Sequence, residues 1–335
     1  GRGMAILVTG GTGYIGSHTV TELLKEGYEV IVIDNLINSA YDVVDRIKKL
    51  SKRDFVFYKG DITDESLLFK IFTENNITDV IHFAGLKSVG ESFSKPVEYY
   101  NINVTGTLKL VNAMLLAGVQ HIIFSSSATV YGIPEKIPLT EQCSVGATTN
   151  PYGTSKFMAE RILQDIANAN KKFHVTLLRY FNPVGAHPSG LIGEQPQGIP
   201  NNLVPFLTMV ASGKLDMLSV FGNDYPTKDG SGVRDYIHVM DLAEGHIAAL
   251  KHNPTHSNFH VYNLGTGQGY SVLELIKIFE EVTGIAVKYN IADRRPGDIA
   301  ECWADPSLAE EELRWRAHRT IEQMMVDAWN WQLKN

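Results

Sequence analysis

Short apolar runs recur along the first half of the chain: Ala5–Thr9, Glu29–Asp34, Phe55–Lys59, Asp79–Phe83, His121–Ser125 and Val175–Tyr180. Between them apolar positions fall at helical spacing, as over Tyr14 to Glu26. This alternation predicts an α/β fold: a doubly wound parallel sheet with helices on both faces. Ligands of such a sheet lie beyond the carboxyl ends of its strands. Polar or glycine residues follow several of them: Asp34, Asp61, Ala84-Gly85 and Ser125 to Ser127.

Past Tyr180 the pattern gives way to loops rich in Pro, Gly and Asn, in "FNPVGAHPSG", "EQPQGIPNN" and "FGNDYPTKDGSG". Long loops in a compact protein usually carry function, so this half is expected to form a smaller mixed α/β substrate-binding lobe. "VYNLGTG" at 261–267 predicts one more strand, returning to the main sheet. The expected division is a dinucleotide-binding domain over 4–181 with a return segment near 236–265, and a substrate lobe over 182–335. Trp329 and Trp331 in the tail read as packing residues.

Composition narrows the function. The chain has 335 residues and a net charge of −7, which argues against a nucleic-acid surface. No apolar stretch is long enough to span a bilayer and no signal-peptide pattern opens the chain, so a cytoplasmic protein acting on small molecules is expected. Two cysteines, Cys143 and Cys302, suit a reducing compartment. Gly1, Arg2 and Gly3, ahead of the first methionine, read as an expression remnant. His82, His187, His238 and His246 fall on scattered segments without ligand spacing, so no metal is expected. Cys143 has no partner histidine signature, and Ser125 to Ser127 lack the setting of a hydrolase nucleophile.

The candidate chemistry begins at "LVTGGTGYIG", residues 7–16. Gly10, Gly11, Gly13 and Gly16 fit both G-x-G-x-x-G and G-x-x-G-x-x-G between a strand and a helix. There unpaired backbone N–H groups and the helix dipole can hold a phosphate without a cationic side chain. Asp34 ends the next strand about twenty residues on, where a carboxylate can bind an adenosine ribose. The combination identifies a Rossmann-type dinucleotide turn and favours NAD over NADP.

"NPYGTSKFMAERIL" places Tyr152 and Lys156 one helical turn apart after a proline suited to a first turn. The pair is unremarkable alone, but with Ser127 at the end of the fifth strand and a dinucleotide turn it reads as catalytic. Tyrosine ionises near 10 and is a useful base only if its phenolate is stabilised. A unit charge about 5 Å away contributes roughly 3 kcal/mol at an effective dielectric near 20. Lys156 and an oxidised nicotinamide are expected to supply that charge, with Ser127 positioning the substrate hydroxyl.

At these residues the sequence resembles the extended short-chain dehydrogenase/reductase family, through "TGGTGYIG", Asp61-Ile62, "NVTGT" at 103–107, Ser127 and Tyr152-x-x-x-Lys156. Longer blocks, among them "HFAGLKSVGES", "SSSATVYG", "LRYFNPVGAHPSG", "QGIPNNL" and "GVRDYIHVMDLA", are similar to the UDP-glucose (UDP-galactose) 4-epimerase branch over nearly the whole chain. The resemblance implies tightly bound NAD, held by Gly10, Gly13, Tyr14, Ile15 and Gly16, with Asp34 and Asn35 at the ribose and Asp61 and Ile62 near the adenine. Phe83, Ala84, Gly85 and Lys87 would border the cofactor, Phe181 the nicotinamide, and Asn103 matches a family asparagine.

It further implies UDP-sugar contacts at Lys87, Asn182, Asn201, Asn202, Leu203, Phe221, Arg234, Tyr236, Arg295 and Asp298. Arg234 and Arg295 offer paired donors suited to a diphosphate, although ion pairs with Asp235 or Asp298 remain the alternative. Tyr152 would take the proton of the sugar 4-hydroxyl while C4 gives up hydride, leaving a transient 4-keto sugar that turns over before hydride returns. Where some family members carry a bulky tyrosine this chain has Cys302, which implies room for an N-acetyl group and activity on UDP-N-acetylhexosamines. A homodimer through helices near Val104–Ala117 and Pro151–Asn168 is also implied. Two rivals stay open: a nucleotide-sugar dehydratase, disfavoured because Ala128 and Thr129 rather than acids follow Ser127, and a non-catalytic protein that senses NAD and UDP-sugars.

Overall fold

The computed structural model describes residues 5–37, 39, 42–252 and 254–335; the residues read as an expression remnant and Met4, the expected first residue of the dinucleotide domain, lie outside them. The chain opens with β1 (Ala5–Thr9), α1 (Tyr14–Lys25), β2 (Glu29–Asp34), α2 (Asp42–Ser51), β3 (Val56–Lys59), α3 (Glu65–Glu74) and β4 (Ile77–His82). Next come α4 (Val89–Ser94), α5 (Pro96–Tyr100), a π-helical turn over Asn101–Thr105 and α6 (Gly106–Ala117). Then β5 (His121–Ser127), a 3-10 turn over Ala128–Tyr131, α7 (Pro151–Ala169) and β6 (His174–Tyr180) complete the first half.

The second half begins with β7 (Asn182–Val184), α8 (Leu203–Ala211), β8 (Leu218–Phe221), β9 (Val233–Arg234), β10 (Tyr236–His238) and α9 (Val239–Lys251). It ends with β11 (Phe259–Leu264), β12 (Tyr270–Ser271), α10 (Val272–Thr283), β13 (Tyr289–Ala292), β14 (Glu301–Cys302), α11 (Ser307–Leu313) and α12 (Ile321–Lys334).

The main sheet has strand order β11-β6-β5-β4-β1-β2-β3, and every pairing in it is parallel. Successive residues of each strand enter opposite cores, as the two-residue repeat of a strand requires. Ile6, Val8, Val30 and Val32 face the core under α1 and α9, while Leu7, Ile31, Ile33 and Val80 face the core under α3, α6 and α7. The order in which successive strands are added reverses between β1 and β4, β2 and β3 lying to one side and β5 and β6 to the other, which opens a crevice at their carboxyl ends. A third core, with Leu207, Leu275, Phe279 and Met325, binds α8, α10 and α12 into the smaller lobe, with its own short sheets.

Two boundaries differ from the sequence reading in ways that bear on the site. The fifth strand continues through the serines, with Ser126 opposite Arg179 and Ser127 opposite Tyr180, because partners inside the sheet satisfy polar groups that look like a loop in sequence. The fourth strand starts earlier, at Ile77, and ends at His82, although the Phe83 N–H still bonds the Thr9 carbonyl at 3.0 Å.

Candidate active site

The carboxyl ends of the central strands and the loops of the smaller lobe enclose one cleft of about 1280 Å³. That is more than one drug-sized ligand needs and suits two ligands side by side.

At its inner end Gly10 adopts φ 69°, and a Cβ there would meet the Ala84 nitrogen at 2.8 Å. A Cβ on Gly16 would collide with the Gly10 carbonyl oxygen, so Gly16 seats α1 against the turn while Gly10, Gly13, Tyr14 and Ile15 line the cleft. The result is a glycine-lined cradle at the amino end of a helix, which fits a pyrophosphate. Asp34 takes the Thr12 N–H at 3.1 Å and the Leu36 N–H at 2.9 Å, fixing its carboxylate at the end of β2. Asn35 reaches Asp61 at 3.4 Å, and Asp61 accepts both the N–H and the hydroxyl of Thr63 at 3.0 Å. Ile62, Phe83, Ala84, Gly85 and Lys87 complete this wall. Burial lowers the Lys87 pKa, opposed by the negative charges of Asp34 and Glu194.

Asn103 stands behind the wall. Its side chain bonds both the N–H and the carbonyl of Leu86, at 2.8 and 3.0 Å, and the Ser155 hydroxyl at 3.0 Å, bracing the loop that carries Lys87. A Cβ on Gly85 would come within 2.8 Å of the Asn103 oxygen, so this approach requires glycine.

At the centre, the Asn150 side chain caps α7 by accepting the Gly153 N–H at 2.7 Å, and Pro151 opens the helix. This aims Tyr152 at Ser127, whose hydroxyl oxygen also accepts from the Thr129 N–H at 3.1 Å and the Thr129 hydroxyl at 2.9 Å. Lys156 gives its Nζ to the Ser125 carbonyl at 2.8 Å. Burial pushes the Tyr152 pKa up to about 12, against a lowering contact with Ser127, and pulls Lys156 down to about 7, helped by Lys87 and opposed by Glu160. The sequence assigns the lowering of Tyr152 to Lys156 and an oxidised nicotinamide together, offset in part by burial; in the protein's own surroundings burial is the largest influence on this phenol.

Behind them a buried network went unread in sequence. Glu160 receives two bonds from Arg179, at 3.0 and 2.7 Å, and one from Ser126 at 2.5 Å; Arg179 also reaches the Tyr131 hydroxyl at 3.1 Å. A Glu on a helix and an Arg on a strand carry no shared spacing, so only the fold pairs them.

Toward the smaller lobe, Phe181, Asn182, Asn201, Asn202, Leu203, Phe221, Arg234, Tyr236, Arg295, Asp298 and Cys302 all reach the cleft. Arg234 does not pair with Asp235, which is consumed by the N–H groups of Thr266, Gly267 and Ala304; it gives two donors to the carbonyls of Val233 and Ile299. Arg295 does bond Asp298, at 2.9 Å, and lies 4.6 Å over the Phe221 ring. Asn201 bonds Ser88 across the cleft at 3.1 Å, and Asn202 bonds Glu194 at 2.7 Å.

Glu194 and Trp331 also line the cleft and were missed. Burial raises Glu194 to about 7, opposed by Asn202 and Lys87. Trp331, read as tail packing, donates its ring N–H to the Glu194 carbonyl at 2.9 Å, whereas Trp329 does pack, edge-on against Phe279.

The chain matches the sequence model of the GDP-mannose 4,6 dehydratase family over residues 7–328. It is 62% identical to the UDP-glucose 4-epimerase of Pasteurella multocida over 332 residues, 99% of this chain and 98% of that one. The crystal structure of UDP-glucose 4-epimerase from Bifidobacterium longum in complex with NAD+ and UDP superposes with a TM-score of 0.97 at 54% identity, covering 99% of each chain. The UDP-Glc/GlcNAc 4-epimerase from Campylobacter jejuni superposes at 0.86 with 36% identity, over 99% of this chain and 100% of that one.

Proposed function

The chain belongs to the UDP-glucose 4-epimerases of the extended short-chain dehydrogenase/reductase family, and from that premise we propose that Tyr152, Ser127 and Lys156 carry its chemistry. It is an NAD-dependent enzyme that reversibly inverts C4 of UDP-glucose and UDP-galactose. Bound NAD would supply reversible hydride acceptance at C4 and a positive charge that favours the phenolate. The turn at Gly10, Gly13 and Gly16 and the carboxylate of Asp34 would hold it.

The Tyr152 oxygen accepts the proton of the sugar 4-hydroxyl, and the Ser127 hydroxyl, held by Thr129, positions that hydroxyl. Arg234 and Arg295 hold the diphosphate, with Asn182, Asn201 and Asn202 beside it. A sugar held only by small polar groups is free to present its second face, after which Tyr152 returns the proton. The observation that carries this reading is the meeting of Tyr152 and Ser127 at the end of β5, within a cleft that joins the glycine turn to the two arginines. Ala128 and Thr129 follow Ser127 in the 3-10 turn, so neither position offers a carboxylate to expel water, which favours epimerisation over dehydration.

The finer assignments are proposals too. Cys302, buried in the same apolar cluster as Phe181 and paired across strands with Arg234, leaves space for an N-acetyl group. Exposed Leu108, Leu115 and Leu116 on α6 and Met158 on α7 support pairing of two copies along these helices. No helix among the described residues is long and apolar enough to cross a membrane, and two free buried cysteines suit a reducing cytoplasm.

The test is incubation of the purified protein, without added NAD, with UDP-galactose and separately with UDP-N-acetylgalactosamine, followed by chromatography of the 4-epimers. Conversion of both supports the whole reading, and conversion of UDP-galactose alone removes the role of Cys302. Failure with both, even after NAD is supplied, overturns the catalytic assignment in favour of a sensing protein.

A further inference from the structure

Among the described residues, two groups of histidine and acidic side chains lie outside the cleft. In the first, Arg319 bonds Asp241 at 2.7 Å and Glu244 at 3.1 Å beside His318, so a guanidinium already supplies the positive charge. In the second, His256, His260 and Glu312 each bring a ligand atom within 4.8 Å of the other two, and Glu312 bonds a neutral group, the Tyr262 hydroxyl, at 2.7 Å.

The surroundings of the second group are those of metal ligands. His260 Nε2 lies 3.1 Å from the Pro254 carbonyl oxygen and 2.9 Å from that of Ser257. Carbonyls only accept, so Nε2 carries the ring proton and Nδ1 keeps its lone pair, as in a histidine whose outer partner orients it for a metal. Tyr262 stacks on His260 and orients the Glu312 carboxylate in the same way. His256 is exposed and can rotate, which suffices to bring ligand atoms to the roughly 3.4 Å separations of a tetrahedral site with bonds near 2.1 Å.

We propose that His256, His260 and Glu312 bind a borderline divalent cation such as Zn²⁺, with water completing its shell, and that the ion clips segment 254–258 to α11 at the edge of the main sheet. Two imidazoles select zinc, nickel or copper over magnesium or calcium. His260 sits at the amino end of β11, whereas the cleft lies at the carboxyl ends, so the site is structural and separate from turnover.

The experiment titrates metal-stripped protein with Zn²⁺ against a chromophoric chelator, and with Co²⁺ read by its visible ligand-field bands, for wild type, H256A, E312Q and H318A. The expected result is one equivalent in wild type and H318A, binding at least 10-fold weaker in H256A and E312Q, and a zinc-dependent rise in Tm that follows binding. Epimerisation of UDP-galactose should be equal in metal-free wild type and H256A. Uptake that is the same in H256A and E312Q as in wild type, or lost in H318A, or absent from wild type at micromolar zinc, overturns the site.

Discussion

Lys156 holds its Nζ 5.9 Å from the centre of the Tyr152 ring and bonds the Ser125 carbonyl at 2.8 Å. The ammonium is thus fixed by the main chain of β5 rather than by the phenol, so the distance between Lys156 and the tyrosine is set by the fit of α7 on the sheet. Tyr152 remains a free acid or base, oriented from the other side by Ser127.

Tyr152→Phe should lower kcat for UDP-galactose by about 10²–10⁴-fold while leaving UDP binding unchanged, because only the proton-transferring atom is removed. Chromatographic turnover and calorimetric titration with UDP measure the two; a variant retaining a tenth of the activity would refute the assignment.

Cys302→Tyr should abolish conversion of UDP-N-acetylgalactosamine and spare UDP-galactose, since the added ring fills the space left by the thiol. Equal loss of both activities would show that position 302 supports the cleft without selecting the sugar.

The raised pKa of Glu194, about 7 against an ordinary 4.5, has a defined sign. Below 4.5 the group is protonated folded or unfolded, and its burial costs no charge. Between 4.5 and about 7 the unfolded chain has already ionised while the folded state must bury the charge or hold the proton, so stability falls across that window and levels off above it. Lys87, Tyr14 and Asn202 face this carboxyl. Glu194→Gln should gain stability over wild type on going from pH 5 to pH 8, on the order of 1 kcal/mol. Thermal melts at both pH values decide it, and a gap independent of pH would contradict it.

Arg179→Met leaves Glu160 buried and unpaired, which should destabilise by about 3–5 kcal/mol. The double change E160M/R179M should recover much of that loss, because no lone charge remains. Denaturant unfolding of the two variants tests the pair, and additive losses would mean that the ion pair itself holds α7 to β6.

Leu116→Lys, on the exposed side of α6, should shift the protein to a monomer in sedimentation velocity without changing its far-ultraviolet dichroism. An unchanged sedimentation coefficient would place any subunit contact elsewhere.

Much of the site was legible because its residues obey local rules. Gly10, Gly13 and Gly16 are spaced for a strand-to-helix turn, Asp34 closes the next strand, and Tyr152 and Lys156 sit one helical turn apart after a capping Asn150-Pro151. Steric exclusion, helical period and backbone satisfaction act over a few residues, so they are written in order along the chain. The return of Phe259–Leu264 to the main sheet was likewise visible as an apolar run ending in glycine.

Other features depend on segments far apart in sequence. Glu160 with Arg179, Asn103 under Gly85, Glu194 beside Lys87, and His256 with Glu312 have no common period or motif. Cys302 shows its size in sequence but not the apolar cluster it shares with Phe181. The amino-acid sequence by itself determined the parallel α/β sheet, the dinucleotide turn and the Tyr-Lys helix, because short-range sterics and burial on two faces leave few alternatives. Only the tertiary structure decided which buried charges are neutralised, that Lys156 is tied to a carbonyl, and that burial raises the Tyr152 pKa, because burial and low dielectric arise when distant segments pack.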